Sequence, residues 1–158
     1  MHFLSFTMLL ASLAGWTLAA TTKCKCLPSD PCFPSSATWA TFAKNISNPL
    51  ISNQRPLAAP CYPNTPEYSS AACDAAKAVD GTAAILAGKI NAMQYVNFEA
   101  IVNSSTIQDC PYDVQPGGVC YQGRVPSYAV NVSTVSDIQN TIRFASTHNL
   151  HLVVRNTG

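Results

Sequence analysis

"SYAVNVSTVSDIQNTIRFASTHNLHLVVRNTG", residues 127–158, is the best-patterned stretch of the chain, and its reading decides the fold. Residues 128–132 alternate in polarity and are β-prone, which predicts a strand. Thr134 stands where a helix N-cap would, with Asp137 three residues on, and Val135, Ile138, Ile142 and Ala145 recur at helical spacing. Asn149 suits the left-handed position that ends a helix. Residues 150–154, "LHLVV", are apolar enough to form a second strand buried in a sheet. Strand, helix and strand in this compass predict a βαβ unit with parallel strands and a right-handed crossover. Ligands of such units sit at the carboxyl ends of the strands, which puts Arg155, Asn156, Thr157 and Gly158 at the ligand-facing end. Gly lets backbone approach a phosphate, successive peptide N–H groups form an anion-binding concavity, and Arg or Thr adds donors. On its own, an Arg-Asn-Thr-Gly turn is more often only a turn.

Working outward, 158 residues of which 47% are hydrophobic and 11% charged are enough for one modest domain or part of a larger one. A formal net charge of +1 and no cluster of basic residues exclude nucleic acid as an expected partner. The first twenty residues, "MHFLSFTMLLASLAGWTLAA", carry an apolar core that ends in small residues. They read as a secretory signal peptide, and they fall short of the ~20 apolar residues that a membrane span needs. No later segment is long enough to span, so no membrane association is expected after signal cleavage.

Seven cysteines follow the leader: Cys24, Cys26, Cys32, Cys61, Cys73, Cys110 and Cys120. Three Asn-x-Ser/Thr acceptors, Asn45, Asn103 and Asn131, lie among them as expected glycosylation sites. Both features fit a secreted, oxidising route. The odd count leaves at least one thiol unpaired within the chain. Metal-ligand spacings are absent, so disulfides rather than a metal site are expected.

The lead "TTKCKCLPSDPCFPSS" reads as irregular and stapled. "SSATWATFAKNIS" places Trp39, Phe42, Ala43 and Ile46 on one face of a short helix capped by Ser35 or Ser36. Prolines between residues 49 and 66 forbid a continuous helix there and leave room for one extended piece near 50–53. The Ala-rich stretch from Tyr68 is helix-prone to about Val79, broken near Asp80–Gly81, and able to resume over 82–93. "CPYDVQPGGVC" is turn chemistry that a Cys110–Cys120 bridge could close.

Other chemistry is thinly represented. His148 and His151 flank the helix-to-strand turn and read as structural, because no carboxylate nearby orients them toward a metal. Gly117, Gly118 and Gly123 have the wrong spacing for a dinucleotide fingerprint. The acidic residues, Asp80 and Glu99 among them, show no paired spacing for a hydrolase. No catalytic residue is assigned.

Taken together and in order, "CKCLPSDPCFPSSATWATF", "APCY…YSSAAC" and "GRVPSYAVNVSTVSDIQNTIRFASTHNLHLVVRNTG" resemble the N-terminal part of secreted fungal FAD-linked oxidoreductases. These are the berberine-bridge-enzyme-like members of the vanillyl-alcohol oxidase / p-cresol methylhydroxylase (PCMH) superfamily. The likeness covers nearly the whole chain after the leader, loosely over 79–109, and the last 33 residues carry it most specifically. It implies an α+β architecture: an incomplete PCMH-type FAD-binding domain, of which the βαβ unit is the opening, preceded by a disulfide-rich, partly helical lead.

The resemblance also implies boundaries and a chemistry. Residues 1–20 would be the signal peptide, 21–122 the cysteine-rich segment and 123–158 the start of the FAD-binding domain. FAD is the implied cofactor, and Arg155, Asn156, Thr157 and Gly158 are the implied contacts to its diphosphate. The implied activity is oxidation of a small organic substrate by hydride transfer to the flavin, with O2 reoxidising it, in secondary metabolism such as an alkaloid pathway. Cys61–Cys73 and Cys110–Cys120 are the implied bridges, with the three early cysteines left open. The family's usual flavin-linked His would follow Gly158, so the chain reads as an N-terminal fragment, inactive by itself. Two other readings stay open: a short secreted disulfide-stabilised binding or structural protein without flavin, and a small effector-like disulfide protein.

Overall fold

The computed structural model describes residues 24–156. The signal-peptide reading of 1–20 and the loop residues Thr157 and Gly158 lie outside the described residues.

Helix α1 (Ser36–Ala43) starts where Ser35 takes extended backbone and its Oγ accepts from the Thr38 amide at 3.2 Å. Trp39 and Phe42 are its buried residues. Helix α4 (Val135–Thr147) is fixed by the anticipated capping box. Thr134 Oγ1 accepts from the Asp137 amide at 3.1 Å, while the Asp137 carboxylate accepts from the Thr134 amide at 3.0 Å. The two helices meet through rings: Trp39 stacks on Tyr128 at 3.8 Å between centroids and lies 4.7 Å from Phe144, and Phe42 stacks on Phe144 at 4.3 Å. Aromatic pairs at these separations add to the area they bury.

Between these helices the chain folds around cystines. A 3₁₀ turn (Ala59–Cys61) and α2 (Ser70–Lys77) are joined by Cys61–Cys73, and Cys110–Cys120 packs into the same cluster with Ala58, Ala59 and Tyr62. Tyr62 is buried and its hydroxyl donates to the Pro111 carbonyl at 2.8 Å, so its polar end is satisfied. A third bridge, Cys26–Cys32, closes the lead, and Cys24 is the free thiol. Both bridges expected from the resemblance are therefore present.

Helix α3 (Ala83–Ala87) is five residues long and stops before Gly88, well short of the expected 82–93. A small antiparallel hairpin that the sequence did not announce pairs β1 (Ile101–Val102) with β2 (Ile107–Gln108). Its turn is held by Asn103, whose Oδ1 accepts from the Ser105 and Thr106 amides and the Thr106 hydroxyl. Gly123 has φ 55° and lies against this region: a Cβ there would come within 2.2 Å of the Glu99 carbonyl oxygen. That close approach requires glycine.

The α+β class holds, and one part of the expected topology is corrected. Residues 128–132 and 150–154 are not strands of a common sheet among the described residues. Ala129 instead forms an isolated antiparallel bridge with Ile51, at 3.0 and 2.9 Å, in the short extended piece between the prolines. Residues 150–155 run without ladder bonds. A strand needs a neighbour to satisfy its amides and carbonyls, and these described residues supply none beside 150–154.

Candidate FAD-facing segment

Helix α4 delivers the candidate loop through a complete C-terminal motif. Asn149 is left-handed at φ 53°, its amide donates to the Ser146 carbonyl at 3.2 Å, and the Leu150 amide donates to the Ala145 carbonyl at 2.8 Å. This is the Schellman pattern, and it turns the chain sharply out of the helix. The Asn149 carbonyl then accepts from the Cys26 amide at 3.0 Å and its side-chain amide donates to the Cys24 carbonyl at 2.6 Å, tying the turn to the stapled lead.

The other end of α4 is anchored by Asp137, which is 1% exposed. Besides the cap, its carboxylate accepts from the Ser133 amide at 3.0 Å and from the Ser47 amide and hydroxyl at 2.8 and 3.0 Å. The Ser133 and Ser47 amides, followed by that of Thr134, hold this carboxyl well below the ordinary carboxylate range. Asp137 thus locks α4 to the segment after α1. Sequence spacing identified it as a cap, but its bonds to Ser47, 90 residues away, carried no local signal.

Beyond the turn the chain is extended, with Leu152 40%, Val153 69% and Val154 87% exposed. The apolar residues Val135, Ile138 and Ile142 of α4 are exposed as well, because the helix turns Phe144 toward α1 and buries Asp137 and Ala145 instead. Arg155 bends back: its guanidinium donates to the carbonyls of Lys89, Ala92, Leu86 and Ala87. Asn156 is exposed. Of the four predicted loop residues, the described pair is exposed, but the Arg155 guanidinium is occupied by protein carbonyls. The described residues fit an FAD diphosphate only through free backbone and Asn156.

The remaining sites fall apart from this segment. His148 packs on Phe144 at 4.5 Å between rings and His151 is exposed; no cluster of three potential metal ligands occurs among the described residues. Asn45 follows α1, Asn103 tips the hairpin and Asn131 precedes α4, all three exposed. A 370 Å³ cleft lined by Lys77, Asp80, Tyr112 and Asp113 opens beside the cystine core. Burial raises the Glu99 carboxyl, opposed by the Met93 amide that it accepts at 2.8 Å, and burial with the charges of Glu99 and Asp80 pushes Tyr112 up to about 12. Glu99 and Asp80 are 19 residues apart in the chain, and their spacing gave no hint of this grouping.

No family model matches the chain. Its homologues are FAD-linked oxidoreductases and VAO-type flavoproteins. It is 35% identical to an uncharacterized FAD-linked oxidoreductase of Arthroderma benhamiae, over all of this chain and 26% of that protein. It is 34% identical to the FAD-linked oxidoreductase easE of Claviceps fusiformis, over 94% of this chain and 26% of the other. Among solved structures it resembles the VAO-type flavoprotein MtVAO615 of Myceliophthora thermophila, at 32% identity and a TM-score of 0.63, over 86% of this chain and 24% of that one. MtVAO713 of the same organism matches at 28% identity and a TM-score of 0.62, over 86% and 23%. The chain is a homologue of VAO-type FAD-linked oxidoreductases, and FAD is the cofactor this kinship implies. It spans about a quarter of the length of the curated relatives it matches.

Proposed function

We propose that the protein is a secreted FAD-linked oxidoreductase that oxidises a small organic substrate of fungal secondary metabolism, and that these residues form its N-terminal portion. On this reading 1–20 is a cleaved signal peptide, 21–122 the disulfide-rich lead and 123–158 the opening of the FAD-binding domain. The loop Arg155, Asn156, Thr157 and Gly158 lies on the cofactor's side, and Asn45, Asn103 and Asn131 carry glycans. The redox chemistry is the flavin's, which accepts a hydride when bound. The protein's part is to hold and orient.

The observation that carries the reading is the geometry of α4. Its capping box and Schellman turn launch an extended apolar segment toward a polar loop, within a fold matched to VAO-type flavoproteins. The apolar residues left exposed on α4 and on 152–154 are those that a larger sheet would cover. Three disulfides support the secretory route, and no helix among the described residues is long and apolar enough to cross a membrane. Residues 1–158 alone are proposed to be inactive, since one helix and the extended segment after it offer about one phosphate contact where FAD needs several loops.

Sequencing the transcript beyond codon 158 tests this. The expected result is an in-frame continuation into the remainder of a VAO-type oxidoreductase; a stop directly after Gly158 would overturn it. The closed cystine core favours one competing reading, a short disulfide-stabilised binding or structural protein without flavin. Purified 1–158 that binds no flavin, together with that stop, would establish it.

A further inference from the structure

A guanidinium carries five N–H donors, four of them on the two Nη atoms. In Arg155 all four are taken. Nη1 donates to the carbonyls of Lys89 at 2.6 Å and Ala92 at 3.1 Å, and Nη2 to those of Leu86 at 3.2 Å and Ala87. Only the Nε–H is left. Arg binds phosphate with two parallel N–H bonds, and no such pair remains here.

The acceptors explain the arrangement. Leu86 and Ala87 end α3, whose last carbonyls lack partners inside the helix, although that of Leu86 also accepts from the Lys89 amide at 3.0 Å. The backbone of 88–92 turns immediately afterwards, bringing the Lys89 and Ala92 carbonyls to the same point, and Ala92 itself is buried. Four carbonyl dipoles converge on one cation, which is also the favourable sign at a helix C-terminus. A residue 63 to 69 positions away in sequence thus closes the end of α3.

From this convergence we infer that Arg155 is a positioning residue that clasps the 86–92 turn to the terminal segment, fixing where the loop from Asn156 onward begins, rather than a ligand of the FAD phosphates. The inference rests on the reading that this loop faces FAD. The clasp itself is independent of flavin. It assigns the three-dimensional setting of the loop to the cysteine-rich segment, which sequence pattern treats as a separate lead.

The test compares the full-length secreted protein with R155K, R155Q and R155M by amide hydrogen exchange and by FAD affinity of the apoprotein across a salt series. For R155M and R155Q, amides in 86–92 should exchange about tenfold faster or more, the size of one lost charge-assisted hydrogen bond. FAD affinity should fall about tenfold, the same hydrogen-bond scale, with its salt dependence unchanged. R155K, with three donors on one atom, should recover part of both. A merely structural Arg would lower the melting temperature and leave the affinity of the folded protein alone. Unchanged exchange over 86–92 in R155M would overturn the clasp, and an affinity loss with a flattened salt dependence would identify a direct phosphate contact instead. Should the wild type take up no flavin while the exchange contrast appears, the proposed function falls and the clasp stands.

Discussion

The cystine core around residues 58–120 and the aromatic junction of α1 with α4 are built on opposite principles. The first has short, irregular elements and is closed by two covalent bridges and buried backbone turns. The second has the one helix with a full capping box among the described residues and is closed by stacked rings and one buried carboxylate. The contrast shows that regular secondary structure and structural closure are separate properties. Both regions leave large apolar residues exposed, Tyr95, Phe98, Val102 and Ile107 in the first and Val135, Ile138 and Ile142 in the second, so what separates them is the means of closure.

The hardest way to break the comparison is Trp39→Ala. Trp39 touches Tyr128, Phe144, Phe42 and Phe33, with centroids from 3.8 to 6.1 Å apart. Truncating a buried aromatic costs about 3–5 kcal/mol. The expected result is a large drop in the urea midpoint, with hydrogen exchange rising in α1 and α4 while residues near Cys61 and Cys110 stay protected. Uniform loss of protection would mean that the two regions are one cooperative unit.

Removing the Cys110–Cys120 bridge by paired serine substitution attacks the other side. The bridge spans 10 residues, and loops of that size contribute about 2–3 kcal/mol. Protection should fall around Tyr62 and Tyr112 and persist in α4. Gly123→Ala should cost about 2 kcal/mol, from positive φ and the clash with the Glu99 carbonyl. Gly123→Ala with an unchanged melting temperature would show that the backbone at Glu99 gives way freely.

The same contrast explains what could be read in the sequence. Ser35, Thr134, Asp137 and Asn149 act on neighbours within a few residues, so their roles as caps were legible from spacing. The α+β class and two bridges followed from the resemblance. The strand pairing, the brevity of α3 and the role of Arg155 depend on partners tens of residues away: Ile51 for Ala129, and the 86–92 carbonyls for Arg155. Alternation marks 128–132 as extended but does not name its neighbour. Likewise nothing near Arg155 in the sequence points to the 86–92 carbonyls that it meets.

Thr134→Ala is a smaller probe, removing the cap oxygen from the Asp137 amide at about 1 kcal/mol, with the loss expected to stay within α4.

The gentlest probe changes only pH and should move the two regions in opposite directions. Asp137 is held below its unfolded value by the Ser133, Ser47 and Thr134 amides. Its contribution is therefore complete above the unfolded pKa, near 4, and drains away as pH falls from there toward its folded value. Glu99 is raised, chiefly by burial. The folded state then binds its proton more readily than the unfolded chain, so acidification through the window above the unfolded pKa adds stability. Exchange measured from pH 7 downward should first slow across the region around Glu99, though not at the Met93 amide, whose bond favours the ionised carboxylate, and then loosen at the Ser47 and Ser133 amides below about pH 4, the ordinary carboxylate range. In Asp137→Asn the second change should disappear and in Glu99→Gln the first. If both regions loosened together on acidification, the buried Glu99 would be gaining as much from its amide donor as it loses by desolvation, and the division of the molecule into two electrostatically distinct halves would not hold.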